Sequence, residues 1–103
     1  MSRRRSTAGS EEQASNLAQE LVERRLAACV NIVSQVCSVY RWKGEITRDA
    51  ECLLIVKTER RLFEELRGAI RELHSYDVPE IVALPVVDGD PSYLEWLAGC
   101  LRE

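Results

Sequence analysis

Apolar positions Ala14, Leu17, Ala18, Leu21, Val22 and Leu26 recur at steps of three and four, with Glu20, Glu23, Arg24 and Arg25 between them. That period predicts an amphipathic helix with one face turned to a sheet. Ser10 and Gln13 have the form of a capping box, and Glu11 and Glu12 place negative charge at the positive end of the helix, so the helix is expected to start at Ser10. From residue 29 to 42 the pattern changes. Val30, Ile32, Val33, Val36, Val39 and Tyr40 are β-branched or aromatic, which favours extended chain, and Lys43-Gly44-Glu45 supplies a turn. Residues 50–58 form a second extended run, whose block Cys52-Leu53-Leu54-Ile55-Val56 is so continuously apolar that both faces are expected to be covered, as in an inner strand.

Thr58 is placed to cap a second helix, with Leu62, Phe63, Leu66, Ala69, Ile70 and Leu73 on one stripe, ending near His74. Ser75-Tyr76-Asp77-Val78-Pro79 reads as loop, because the residue before a proline is pushed toward extended geometry. Residues 81–87 read as another fully apolar strand, closed by Asp88-Gly89. Asp90-Pro91 is an N-cap with proline at the first helical position, and Tyr93, Leu94, Leu97, Cys100 and Leu101 give a closing helix its face.

The order helix, strand, strand, helix, strand, helix is that of an α+β ferredoxin-like plait, βαββαβ plus a C-terminal helix, with its first strand missing or degraded. Only residues 1–8 could supply that strand, and Arg3, Arg4 and Arg5 would put a guanidinium on a covered face, at a cost of several kcal/mol if unpaired. The expected layout is therefore a basic, disordered segment over residues 1–9 and a single domain over 10–103. The hairpin carries a further expectation. Thirteen extended residues reach roughly 43 Å, whereas a 15-residue helix covers only about 22 Å. Its far end, with Val36, Val39, Tyr40 and Trp42, would then be bare on a single chain, as interfaces are. A bulged, shorter hairpin folded back on itself is the alternative.

Charge narrows the function. The 103 residues carry 14 basic and 17 acidic side chains, and the first ten hold +3 of the net −3, leaving −6 for the rest. An acidic body argues against nonspecific nucleic-acid binding, which needs a basic face to neutralise phosphates. The longest uncharged stretch, residues 26–40, contains Asn31, Ser34, Gln35 and Ser38, so no membrane insertion is expected. The N-terminal segment lacks the apolar stretch of a secretory signal, and a cytoplasmic location is expected. Cys29, Cys37, Cys52 and Cys100 form no C-x-x-C pair and read as reduced core residues. Gly44 and Gly89 are isolated, so no phosphate-cradling loop or organic cofactor is expected.

The stretches Arg25-Leu26-Ala27-Ala28-Cys29-Val30-Asn31, Ser38-Val39-Tyr40-Arg41-Trp42-Lys43-Gly44-Glu45, Lys57-Thr58, Val78-Pro79-Glu80-Ile81 and Tyr93-Leu94-x-Trp96 resemble the CutA family of divalent-cation tolerance proteins. The resemblance covers nearly the whole chain. It implies a ferredoxin-like subunit of a tight homotrimer closed by long hairpins, similar to the PII signalling proteins, non-enzymatic and linked to tolerance of copper and other divalent ions. It also implies metal contacts at His74 and Glu80, while the family's first-strand cysteine has no counterpart and its usual His-Pro-Tyr is here His74-Ser75-Tyr76. Imidazole with carboxylate suits Cu(II) or Zn(II), and a nearby thiolate from Cys29, Cys37 or Cys52 would favour Cu(I). Other roles stay open for these residues. His74 could be a helix C-terminal histidine on the dipole, and Glu80 a buried carboxylate paired with Lys57. The alternatives for the whole protein are a metal-independent trimeric scaffold or signalling protein that aids protein localisation, and a small enzyme using the His74 and Glu80 cleft.

Overall fold

A computed structural model describes residues 9–73 and 80–103, with side chains from residue 11 onward. Helix α1 spans Gly9–Glu23, strand β1 Cys29–Trp42 and strand β2 Glu45–Lys57. A 3-10 turn over Arg60–Leu62 leads into α2, Phe63–Leu73, and α3 covers Pro91–Cys100. Because α1 already includes Gly9, Ser10 lies in its first turn and is not the N-cap the sequence suggested. No helix among the described residues is long and apolar enough to cross a membrane.

The end of α1 follows from a backbone motif. Leu26 N–H donates to the Leu21 carbonyl and Arg25 N–H to that of Val22, both at 3.0 Å, with Arg25 in the left-handed region at φ 60°. These are the paired bonds of a Schellman stop, and they fold Leu26 back beside Leu21 in the core. The carbonyl left over at Arg24 is taken by a distant side chain. Arg102 reaches it with Nε at 3.1 Å and Nη2 at 2.9 Å, while its Nη1 meets Glu65 at 2.8 Å. The C-terminal end is thereby tied to both α1 and α2.

Strands β1 and β2 pair antiparallel from Cys29↔Lys57 to Trp42↔Glu45. Lys43 (φ 52°) and Gly44 (φ 82°) form the two-residue turn between them, the positive φ at both positions matching the right-handed twist of the strands. A bulge interrupts the register between Val33 and Val36, yet the pairing continues to the turn. The hairpin is therefore long and not folded back, in keeping with a longest dimension of 45 Å against 25 and 22 Å. Leu17, Leu21, Leu26, Ala27, Leu62, Leu66, Ala69, Ile70, Leu97 and Leu101 form the core, and Val30, Leu54, Val56 and Ile81 pack against it.

Other expectations change or narrow. Thr58 does not cap α2; its hydroxyl donates to the Leu26 carbonyl at 2.7 Å, tying the end of β2 to the α1–β1 connection. For residues 52–56 the described sheet supplies one neighbour, β1. Helices cover one face of that run, and Leu53 and Ile55 on the other are 49% and 45% exposed. Residues 81–87 pair with no described strand, and Leu84 and Val87 are 83% and 93% exposed. The cysteines, all free thiols, are not core residues: Cys37 is exposed and the other three are half-buried.

Candidate functional site

Two places carry the residues singled out above, the loop after α2 and the outer part of the hairpin. Of the loop pair, His74 lies outside the described residues, as does Tyr76. Glu80 is described and exposed, immediately before Ile81, whose side chain reaches the core. An exposed carboxylate is free of the desolvation penalty that a buried one would carry; burial of Glu80 paired with Lys57 would need a neighbouring subunit. Carboxylate and imidazole donors suit a borderline divalent ion such as Cu(II) or Zn(II). Among the described residues, no three or more His, Cys, Asp or Glu side chains are grouped to hold a metal.

The hairpin sorts its side chains by register. Val36, Ser38, Tyr40 and Trp42 pair with Glu51, Asp49, Thr47 and Glu45, and so share one face with Val33, Leu53 and Ile55. Val39 pairs with Arg48 and stands on the opposite face, 53% exposed. Three of the four expected interface residues are thus brought together, and Val39 is separated from them. The face holding Val36, Tyr40 and Trp42 also contains a residue that sequence reasoning missed. Asp49 is 6% exposed, the one buried charged or polar side chain among the described residues, and it accepts a hydrogen bond from the Tyr40 hydroxyl. The two-residue turn fixes Thr47 opposite Tyr40, so Asp49 falls on the diagonal of the same face. Lys43-Gly44 was therefore the signal that could have found it.

The model of the family described as "CutA1 divalent ion tolerance protein" matches residues 5–100. The chain belongs to the CutA family. It is 54% identical over 91 residues to the divalent-cation tolerance protein CutA of Thermus thermophilus, covering 88% of each chain. It is 46% identical over 96 residues to a chloroplastic CutA of Arabidopsis thaliana, covering 93% of this chain and 53% of that one. The chain thus spans about half the length of the plant relative. Among solved structures it is similar to a divalent cation tolerance protein from Thermus thermophilus, with a TM-score of 0.88, 52% identity and 90% of each chain covered. The α+β, ferredoxin-like class read from the order of elements is that of these CutA structures.

Proposed function

We propose that this CutA chain works as a homotrimer in the response to copper or another divalent ion, binding the metal at His74 and Glu80 without catalysis, in the cytoplasm. One observation supports the assembly most strongly: the hairpin leaves apolar side chains bare on both faces, with Ile46 62% exposed near the turn and Leu53 and Ile55 about half exposed further down. Leaving that much apolar surface in water is costly at roughly 25 cal/mol per Å2, and other copies of the same arm are the natural cover. Val36, Tyr40 and Trp42 supply the contact face, with Val39 serving a neighbour on the other side.

The metal reading rests on donor chemistry, imidazole plus carboxylate. Light scattering tests the assembly: the mass should be three times the 11.7 kDa of one chain, and a monomer at micromolar concentration contradicts it. Calorimetric titration with Cu(II) tests the site. His74→Ala and Glu80→Ala should each weaken binding at least about tenfold, while unchanged affinity removes the assigned ligands and leaves a metal-independent trimer.

A further inference from the structure

The other face of the hairpin carries a feature that the divalent-ion reading does not use. Cys37 pairs with Ala50, and Cys52 lies two positions further along β2, so both thiols belong to one face of the ribbon on adjacent strands. The position opposite Cys52 falls in the bulge between Val33 and Val36, which makes Cys37 its diagonal cross-strand neighbour beyond the bulge. This is the face that, further down the strand, sends Leu54 and Val56 to the core. Both thiols are free, Cys37 exposed and Cys52 half-buried within one chain.

Spacing decides what such a pair can do. Diagonal neighbours stand about 7–8 Å apart at Cα, somewhat closer at Cβ, whereas a disulfide needs Cα atoms within about 6.8 Å. A metal ion bound by two sulfurs at about 2.2–2.3 Å each separates them by roughly 4.5 Å, and this wider span suits the diagonal. The flanking positions on the same face are apolar Val39, Ala50 and Leu54, with the cationic Arg48 opposite Val39. Hard cations demand several oxygen ligands, whereas thiolates select soft ions. The geometry points to a two-thiolate site at Cys37 and Cys52 for a soft monovalent ion of the Cu(I) class. Binding displaces one proton from each thiol, forms two metal–sulfur bonds and involves no change of oxidation state. The site uses neither His74 nor Glu80.

Anaerobic competition for Cu(I) against its coloured bicinchoninate complex tests this directly with the full chain. The wild type should withdraw one Cu(I) per chain. Cys37→Ser and Cys52→Ser should each weaken binding by at least about 100-fold, the upper end of what loss of a mere supporting residue costs. Cys29→Ser, Cys100→Ser and His74→Ala should change it less than about twofold, by the additivity of distant sites. Retained affinity in either hairpin variant, or an equal loss in Cys29→Ser or Cys100→Ser, overturns the proposal, as does a wild type that withdraws no Cu(I). Should Cys52→Ser unfold, X-ray absorption of the Cu(I)-loaded wild type decides: two sulfur neighbours at about 2.2 Å support the site, and nitrogen or oxygen neighbours contradict it.

Discussion

Residues 52–56 and residues 81–87 are both uninterrupted apolar runs, yet among the described residues only the first is paired in a strand. The first has a neighbour delivered by local chemistry: Lys43-Gly44 turns the chain in two residues and lays β1 against it from Trp42↔Glu45 to Cys29↔Lys57. The second depends on a neighbour distant in sequence. In a ferredoxin-like plait its partner is the strand before α1, a position that lies outside the described residues. Composition sets what a run can become, and a partner for its backbone groups sets whether it does.

Leucine truncation should separate the two regions most sharply. Leu21 has no exposed surface, so Leu21→Ala should cost about 3–4 kcal/mol in urea denaturation, through lost transfer energy and the cavity left behind. Leu84→Ala, at 83% exposure, should stay within about 0.5 kcal/mol. The complementary change supplies a neighbour. Replacing Arg3, Arg4 and Arg5 by Val, Leu and Val should raise stability by about 2–3 kcal/mol as side chains of residues 81–87 leave water. An unchanged melting temperature would mean that the run is sheltered by other means.

Much of the fold could be read because its determinants are local. Asp90 accepts from the Ser92 and Tyr93 N–H groups at 3.1 and 3.4 Å, the cap expected from Asp90-Pro91, and the stripes of α1 and α2 turn most of the expected residues into the core, with Val22 and Leu73 left exposed. Thr58 misled because its bond goes to Leu26, 32 residues away, while a local cap was equally consistent with the sequence. The cysteines misled because apolar neighbours in a strand do not say which face is covered. Asp49 went unnoticed for a related reason: its burial depends on a register counted across the turn. Of the metal pair, only the family resemblance could single out His74 and Glu80, since two donors six residues apart have no distinctive spacing.

Smaller effects sharpen the account of the paired region. Arg102→Ala removes the guanidinium that satisfies the Arg24 carbonyl and meets Glu65, and should cost about 1–2 kcal/mol in thermal unfolding. Gln35 sits in the bulge at φ 60°, a left-handed conformation that costs a side-chain-bearing residue about 1 kcal/mol. Gln35→Gly should therefore stabilise the protein by roughly 0.5–1 kcal/mol, and a loss of stability would show that the Gln35 side chain contributes more than its backbone strain costs.

Hydrogen exchange resolved to these two segments bears most directly on the claim that an apolar run becomes a strand only where a neighbour is supplied. Backbone amides of residues 52–57 should exchange at least about a thousandfold more slowly than in an unfolded chain, and those of residues 82–87, Pro85 apart, at close to the unfolded rate. Equal protection in the two runs would contradict the account, because residues 82–87 would then have a partner strand that it does not give them.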